Sequence, residues 1–473
     1  MHLYAAFLNY YNLLCIIELM NVVIIGAGRR GLRLAKHLIE EDKNVIFLDS
    51  SSERCQQAIS KLDCMAVCGS ATDVEKLVEA QVREADAVIA VTDNDETNLV
   101  SCGIVASEFP EVKTTIAAIR SISYLGSESH HPILGISYIV NPDQEAANRI
   151  TGIIRSGLFR DVVSFPDAHF MLFATSITKD SPFKDKTLIE ARKEIPGQYV
   201  IAGIRRKNKV FTPYGDSVIK AGDEIAIIVD EEESKDVFIE LNGPMDNTRI
   251  RKILLIGATR ITRYLLSSFS SQERKRVTLI EKDEKIAREF LDLFPEILVI
   301  NAGVTDEAIW DEEKLYENDL VISVTENDEL NIIASLYAKR LGVRRVISLV
   351  KTNNNYIQLA AHLDIDAAIS TTNATVDTLV RHLRGSSIET LHTLFDGDLE
   401  VYEFVIGEQF KYLDKALKDV DLKGKVIIAG IKRGDGENFI PGGAYSFTLN
   451  DTVIVAAAHR DQQLVQALFG TNV

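Results

Sequence analysis

The sequence predicts an α/β fold with two doubly wound parallel sheets, each followed by a small α+β domain. Three observations indicate this arrangement. Short apolar runs alternate with helical patterns along the 473-residue chain, a glycine-rich turn follows the first run, and the whole pattern occurs twice. Alternating strands and helices form parallel sheets with right-handed crossovers.

The duplication is visible as pairs of similar segments at nearly constant separation. The pairs are VVIIGAG (22–28) with ILLIGAT (253–259), IFLD ending at Asp49 with TLIE ending at Glu281, VTDNDETN (91–98) with VTENDELN (324–331), and YVIAGIRR (199–206) with VIIAGIKR (426–433). Such regular self-similarity indicates repeated structural units. Their order is large, small, large, small.

The repeat also predicts domain boundaries. We expect large domains at 20–143 and 250–370, small domains at 160–243 and 388–473, and linkers near 141–162, 241–250 and 371–390. Residues 1–19 are apolar but lack a basic flank and are interrupted by polar residues. We expect Met20 to be the native start and 1–19 to be a mis-assigned extension, with a short amphipathic anchor as the alternative.

Each element of the first copy follows from its apolar pattern. In the large domain, continuous apolar runs of the kind found in buried parallel strands occupy 22–25, 45–48, 65–68, 87–91 and 114–119. Helical spacing follows the first run over 29–41. In the small domain, β-rich runs occupy 171–177, 199–204 and 224–229, and a helical stretch occupies 186–194. These elements predict a compact α+β fold.

Charge and cysteine content exclude some classes of function. Lysine and arginine number 52 against 69 aspartates and glutamates, which gives a net charge of −17. We therefore expect no nucleic-acid partner, because such binding requires positive charge. The five cysteines favour free cytosolic thiols over a disulfide framework. Cys64 and Cys68 flank a strand predicted to be buried, and His130 and His131 lack suitably spaced partners, so we predict no metal site.

The turn after the first strand carries the strongest signal of a ligand. Its residues are Gly26, Ala27, Gly28, Arg29, Arg30 and Gly31. The turn follows a strand, opens a helix and precedes Asp49 at the end of the next strand, which is the context of a Rossmann-type dinucleotide site. Gly28 would let a pyrophosphate approach the helix N-terminus. Asp49 would accept ribose hydroxyls and repel a 2′-phosphate, which favours NAD(H) or an adenine nucleotide over NADP(H).

Further candidates follow the fourth and fifth predicted strands. Thr92 and Asp93 lie where the ligands of open α/β sheets bind, and we expect them to border the ribose or phosphates. An equally good interpretation is a helix cap near Asn94. Arg120 ends the fifth strand and would reach a phosphate or a neighbouring subunit, with a solvated surface arginine as the alternative.

The second copy of the turn is altered. It reads Gly257, Ala258, Thr259, Arg260, Ile261 and Thr262, with Glu281 in place of Asp49. Side chains at Thr259 and Thr262 would crowd a pyrophosphate. We expect this site to be weakened or to bind a different adenine ligand.

The sequence favours a sensor over an enzyme. Hydride transfer needs an acid–base group beside the substrate, and none of the 14 tyrosines is followed four residues later by lysine. The small domains lack paired carboxylates or histidines that would suggest a catalytic cleft. We assign no catalytic residue.

These residues carry a family resemblance. The domain order, GAGRRG with Asp49, the two VT(D/E)ND segments and the small AGI modules resemble the TrkA-type regulators of Trk potassium uptake, which consist of tandem RCK N-terminal and C-terminal domains. The resemblance covers residues 20–473. It implies a peripheral, cytoplasmic homotetramer on the inner face of the membrane, docked on a TrkH-type transporter and gating it without catalysing a reaction.

The resemblance also implies the ligands and their contacts. They would be NAD(H), ATP or ADP, held by Gly26 to Arg30, Asp49, Thr92 and Asp93. Family members often carry an arginine where this chain has Ala118, so one phosphate contact is in question. Three alternatives stay open: an NAD-dependent oxidoreductase with an unrecognised site, a regulator of another cation transporter or channel, and a structural subunit with a permanent nucleotide.

Overall fold

The computed structural model describes most of the chain, namely residues 20–41, 43–121, 124, 133–156, 162–165, 168–195, 197–207, 209–242, 250–351, 356–357, 359–360, 363–383, 388–422, 424–434 and 436–469. The expectations for residues 1–19 and for His130 and His131 lie outside the described residues. The chain forms two compact units, Met1–Pro142 and Asp143–Val473. Each is described by itself.

The first unit is a doubly wound parallel sheet. Its strands are β1 (Asn21–Ile25), β2 (Asn44–Asp49), β3 (Met65–Cys68), β4 (Ala87–Ala90), β5 (Thr114–Ala118) and β6 (Tyr138–Val140). Its helices are α1 (Arg29–Glu40), α2 (Ser52–Lys61), α3 (Val74–Glu79) and α4 (Asp95–Glu108). The strand order β3-β2-β1-β4-β5-β6 is that of a Rossmann fold, which confirms the expected fold class.

Burial within this sheet explains the apolar runs and corrects one of them. The central strands β1 and β4 are almost fully buried, as expected for strands covered on both faces. Strand β3 lies at the sheet edge, and Met65 and Cys68 are exposed. The expectation that Cys64 and Cys68 flank a buried strand is therefore wrong, because an edge strand has a neighbour on one side only. Strand β6 was not expected, since its run is only three residues long.

The second unit contains a second sheet of the same order. Its strands are β12 (Ile253–Ile256), β13 (Val277–Glu281), β14 (Leu298–Asn301), β15 (Leu320–Ser323), β16 (Arg345–Val350) and β17 (Ala367–Ser370), arranged β14-β13-β12-β15-β16-β17. The helices around it are α8 (Arg260–Ser268), α9 (Ser271–Arg274), α10 (Glu284–Leu293), α11 (Glu307–Glu312), α12 (Asp328–Arg340) and α13 (Thr371–Leu383). The two sheets therefore repeat each other strand for strand.

Two intervals expected to be linkers contain ordered elements. Helix α5 (Pro142–Ser156) lies in the first of them, and α13 opens the last. Apolar residues of α5 pack into the core of the second sheet, namely Ala146, Ala147, Ile150 and Ile153. Arg149 of α5 also pairs with Asp377 of α13. The first interval therefore serves as a packing element of the second large domain.

The two small domains are antiparallel sheets with few helices. The first holds β7 (Val162–Phe165), β8 (Phe170–Ser176), β9 (Tyr199–Arg206), β10 (Lys209–Phe211) and β11 (Glu224–Asp230), with α6 (Leu188–Glu194) and α7 (Ser234–Asn242). The second holds β18 (Ile388–Leu394), β19 (Leu399–Val405), β20 (Val426–Arg433), β21 (Asn438–Phe439) and β22 (Asp451–Ala458), with α14 (Gln462–Phe469). Among the described helices, none is both long and apolar enough to cross a lipid bilayer.

The small domains pack against each other through equivalent residues. A Cβ atom on Gly203 of β9 would lie 2.8 Å from the side chain of Leu399 on β19. A Cβ atom on its counterpart, Gly430 of β20, would likewise lie 2.6 Å from the ring of Phe170 on β8. Glycine in each AGI segment thus makes room for a large side chain of the other domain. This explains why these segments repeat.

Candidate nucleotide-binding site

The turn between β1 and α1 depends on glycine at its first position. Gly26 has φ +106°, a backbone conformation that side chains disfavour. A Cβ atom there would also lie 3.0 Å from the backbone nitrogen of Thr92. The Gly26 N–H donates to the Leu48 carbonyl at 2.9 Å. The chain therefore reverses tightly at the carboxyl edge of the sheet.

The other two glycines differ in what surrounds them. A Cβ atom on Gly31 would lie 2.0 Å from the carbonyl oxygen of Gly26 and 3.3 Å from the Phe47 ring, so α1 packs closely against the sheet only with glycine here. A Cβ atom on Gly28 would meet no described atom within 4 Å. Packing within the chain therefore explains Gly31, whereas Gly28 leaves open space in front of the helix.

The N-terminus of α1 faces this space. Gly28 is its N-cap residue, and within the described part of the chain no side chain caps it by a hydrogen bond. The first N–H groups of a helix have no partner inside the helix, and they carry the positive end of its dipole. Arg29, the next residue, is exposed. This end of α1 therefore offers donors and positive charge to an anion.

Asp49 lies at the end of β2, next to the glycine turn. Its side chain is only 5% exposed. One carboxylate oxygen accepts the Ala27 N–H at 2.7 Å, and the other accepts the Ser51 N–H at 2.8 Å. A carboxylate has about four acceptor positions, so acceptor capacity remains for ribose hydroxyls.

A cation near Asp49 was missed from the sequence. Ser50 and Ser51 carry no charge, but Arg54 of α2 places Nη1 3.9 Å from Oδ2 of Asp49. Arg54 lies in the first turn of α2, and only the direction of its side chain, which the sequence does not show, brings it to Asp49. It partly compensates the carboxylate charge.

Two arginines meet at the mouth of the site. Arg30 Nη2 lies 3.0 Å and Arg120 Nη2 lies 2.9 Å from the same oxygen, Oδ1 of Asp93. The Asp93 side chain is 68% exposed, whereas that of Arg30 is only 11% exposed. The site thus contains two cations that a single accessible carboxylate holds together.

Thr92 belongs to a structural network. Its hydroxyl donates to the Asn98 side-chain oxygen at 2.6 Å, and Asn98 Nδ2 donates to the Ala118 carbonyl at 2.7 Å. Asn94 caps α4 by accepting the Thr97 N–H at 2.6 Å. Asn98 is fully buried and ties the ends of β4 and β5 together. Sequence reasoning missed it, although the repeated segments 91–98 and 324–331 both end in this asparagine.

The second copy keeps the turn and closes the helix end. Gly257 has φ +100°, as Gly26 does. Thr259 is the N-cap residue of α8; its hydroxyl accepts the Thr262 N–H at 3.4 Å, and the Thr262 hydroxyl accepts the Thr259 N–H at 3.3 Å. Side chains of this chain therefore occupy the donors that remain uncapped in the first copy.

The remaining residues of the second copy are also engaged. Glu281 accepts the Ala258 N–H at 2.8 Å. Arg260 Nε lies 2.7 Å from Oδ2 of Asp143 on α5. Ile261, which stands at the position of Arg30, is buried. The second copy thus lacks the cation that Arg30 supplies in the first.

Comparison with known proteins identifies the family. The TrkA-N domain matches residues 22–142 and 253–371, and the TrkA-C domain matches residues 172–240 and 401–470. A Trk system potassium uptake protein TrkA from Halomonas elongata is 28% identical over 88% of this chain and 91% of its own length. A Trk system potassium uptake protein TrkA homolog from Methanosarcina mazei is 28% identical over 92% of this chain and 97% of its own length.

Solved structures agree on the fold. The crystal structure of the GsuK RCK domain matches with a TM-score of 0.55 and 15% identity over 95% of both chains. The GsuK channel bound to NAD matches with a TM-score of 0.56 and 15% identity, over 95% of this chain and 79% of that chain. The relatives are named as potassium uptake proteins rather than enzymes, in agreement with the expectation of a non-enzymatic chain. The chain belongs to the TrkA family of potassium uptake proteins, built from tandem TrkA-N and TrkA-C domains.

Proposed function

We propose that this chain is the nucleotide-sensing regulatory subunit of a Trk-type potassium uptake system. It binds NAD(H) or an adenine nucleotide in the first large domain and gates a membrane transporter of the TrkH type. Nucleotide binding shifts the chain between two arrangements. Only a difference in nucleotide affinity between these arrangements transmits a signal to the transporter.

The difference between the two glycine turns carries this proposal. In the first copy, Gly28 leaves open space in front of an uncapped helix N-terminus. In the second copy, Thr259 fills the same position and caps α8. Two turns with the same backbone reversal therefore differ in the one feature that a pyrophosphate requires. A packing role alone gives no reason for this difference, because a methyl group on Gly28 would meet no described atom within 4 Å.

The residues around the turn fit a dinucleotide. The α1 N-terminus would hold the pyrophosphate, Asp49 would accept the ribose hydroxyls, and Arg30 and Arg120 would reach phosphate oxygens once released from Asp93. NAD(H) would supply a ligand whose two redox forms differ in ring charge. Discrimination against a 2′-phosphate is smaller than the sequence alone indicates, because Arg54 lies 3.9 Å from Asp49.

Assembly into a cytoplasmic homotetramer at the membrane belongs to the same proposal. Val100 on α4 is 45% exposed, and its counterpart Ile333 on α12 is 60% exposed. Exposed apolar side chains at equivalent positions of both large domains support contacts between subunits. Light scattering of the purified chain tests this part, with four chains expected and a monomer contradicting it.

Ion flux through the reconstituted transporter tests the proposal as a whole. Vesicles carrying a TrkH-type protein receive this chain with NAD, NADH, ADP or ATP, and potassium uptake is followed. We expect at least one nucleotide to change the uptake rate, and an Asp49→Asn chain to lose this response. Uptake that never depends on nucleotide would overturn the sensor role. Chemical turnover of the nucleotide would favour the oxidoreductase alternative.

A further inference from the structure

Two cysteine thiols lie together beside the nucleotide site. Cys68 ends β3 directly opposite Asp49 in the parallel register, and Cys55 lies on α2. Their sulfur atoms contact backbone carbonyl groups of the segment after β2. Cys55 Sγ lies 3.5 Å from the backbone carbonyl oxygen of Asp49, and Cys68 Sγ lies 3.7 Å from that of Ser50. Cys55 Sγ also lies 3.5 Å from the backbone carbonyl oxygen of Val67, the residue directly before Cys68.

The two thiols differ in accessibility, so a dissolved oxidant would reach Cys68 first. Cys68 is exposed, whereas Cys55 is 5% exposed. Burial, with the nearby Cys68 and Asp49, raises the pKa of the Cys55 thiol above its usual value. Cys64 is four residues before Cys68 on an extended segment, about 13 Å away at the usual rise of a strand. That is too far for a disulfide with Cys68.

The second copy replaces both cysteines by inert residues. Asn301 stands opposite Glu281 as Cys68 stands opposite Asp49, and its Nδ2 donates to the carbonyl groups of Glu281 at 2.9 Å and Lys282 at 3.1 Å. Ala287, four residues after the N-cap residue Asp283, occupies the position of Cys55. An asparagine therefore performs the bridging role of Cys68 without thiol chemistry.

We propose that Cys55 and Cys68 form a reversible disulfide that weakens nucleotide binding in the first large domain. The effect on nucleotide rests on the proposed function, whereas the disulfide itself does not. The pair thus adds an oxidation signal to the site, with a low-molecular-weight disulfide such as oxidised glutathione as the oxidant.

The chemistry balances as two thiol–disulfide exchanges. The Cys68 thiolate attacks one sulfur of oxidised glutathione, which forms a mixed disulfide and releases one glutathione thiolate. The Cys55 thiolate then attacks Cys68 Sγ, which forms the intramolecular bond and releases the second glutathione. The two protein thiol protons pass to the two released thiolates. Two electrons move from the protein to the oxidant, which leaves as two reduced thiols.

The disulfide would disturb the residues that position Asp49. Oxidation removes both S–H donors from the Asp49 and Ser50 carbonyl groups, and it draws the two sulfurs to about 2.05 Å. The Ser50–Ser51 segment would then shift. Because the Ser51 N–H donates to one carboxylate oxygen of Asp49, this shift would disturb the position of the carboxylate. We expect nucleotide affinity to fall about tenfold, comparable to the loss of one hydrogen bond to a charged group.

Mass spectrometry tests the disulfide without any nucleotide. The full-length chain is incubated with oxidised glutathione, quenched in acid, alkylated and analysed intact and after digestion. We expect a mass lower by two hydrogen atoms and a linked peptide pair that contains Cys55 and Cys68. The Cys55→Ala variant should stop at a glutathione adduct on Cys68, and Cys68→Asn should show neither product. Stable glutathionylation of the unsubstituted chain without ring closure would overturn the proposal.

Calorimetry with NADH then tests the coupling. Reduced and oxidised wild-type chains are compared with the Cys55→Ala/Cys68→Asn variant, which copies the second large domain. We expect oxidation to weaken binding to the wild-type chain and to leave the variant unaffected. Equal affinity of the reduced and oxidised wild-type chains would overturn the inference. Failure of the reduced chain to bind any nucleotide would instead contradict the proposed function.

Discussion

The carboxylate of Asp49 accepts the backbone N–H of Ala27 at 2.7 Å and so joins the end of β2 to the glycine turn. Glu281 accepts the Ala258 N–H at 2.8 Å in the second copy. The acid at the end of the second strand is therefore a structural part of both turns. A ribose contact uses the acceptor capacity that remains, so binding and stability must be measured separately at this residue.

The glycine turn offers a clean separation of ligand binding from packing. Gly28→Ala should leave the melting temperature nearly unchanged, because its Cβ atom meets no described atom within 4 Å. The added methyl group should nevertheless weaken NADH binding at least tenfold, since it enters the space in front of α1. Calorimetric titration and thermal unfolding of the same preparation measure both quantities.

Gly31→Ala is the matched variant. Its Cβ atom would lie 2.0 Å from the Gly26 carbonyl oxygen, and we expect a loss of stability of about 1–3 kcal/mol from overpacking. A stable Gly31→Ala chain, or a Gly28→Ala chain with the affinity of the wild type, would contradict the roles assigned here.

Substitution of the acidic residue at the end of the second strand should affect nucleotide affinity in the first copy only. Asp49→Asn and Glu281→Gln each leave one backbone N–H without its carboxylate partner, and we expect each to lower stability by about 1–3 kcal/mol. Only Asp49→Asn should also lower NADH affinity, because Thr259 and Thr262 cap α8 in the second copy. The pair is compared by urea unfolding and by NADH titration. An equal loss of affinity in both variants would show that the second copy binds too.

Asp93 should restrain Arg30 and Arg120. Its Oδ1 atom lies 3.0 Å from Arg30 and 2.9 Å from Arg120, so Asp93→Asn should release both guanidinium groups toward phosphates. We expect affinity for ADP to rise several-fold at low salt, with a smaller gain at high salt because exposed charges are screened. Glu326→Gln, which removes the partner of Lys351 in the second copy, is the control. Weaker ADP binding by Asp93→Asn would contradict this role.

His392 should make stability fall in mild acid. Burial, with the charges of Arg149 and Arg381, lowers the pKa of His392 from 6.5 to about 3. The unfolded chain therefore binds a proton that the folded chain refuses, and stability is lost as pH falls below 6.5 toward about 3. His392→Phe should reduce this loss, because the ring packs edge-on against Phe165 and carries no titratable nitrogen.

Urea unfolding at pH 7 and pH 5 measures the His392 effect. The drop in midpoint between the two pH values should be smaller for His392→Phe than for the wild type. His169→Gln is the control, since the His169 side chain is 56% exposed. An equal drop in the His392→Phe and wild-type chains would assign the acid sensitivity to other groups.

The parallel sheets and the glycine turn could be predicted because their signals are local. Each buried strand is a continuous apolar run, and the glycine turn lies between a strand and a helix. Strand β6 and the exposure of Cys68 on β3 could not be predicted, since they depend on which strand lies at the sheet edge. The packing of α5 on the second large domain was also hidden, because helical spacing shows an apolar face without showing what covers it.

In the candidate site too, local features could be predicted, whereas contacts between distant elements could not. The turn residues and Asp49 were accessible from spacing within one strand–helix–strand unit. Arg54 was missed because its contact with Asp49 is set by the side-chain direction on α2. Asn98 was missed because its hydrogen bond to the Ala118 carbonyl joins strands separated by a helix. Repetition of this asparagine at Asn331 was the available signal.

Calorimetric titration of the full-length chain with NADH is the most direct test of the central claim. A nucleotide site in the first copy and a capped, closed second copy predict one saturable site per chain, with NADH recovered unchanged. At the concentrations that saturate the wild-type chain, the same titration of Gly28→Ala should show no saturable site. The Thr259→Ala chain should retain its site. No saturable binding to the wild-type chain, or a site that survives Gly28→Ala and disappears in Thr259→Ala, would contradict the account.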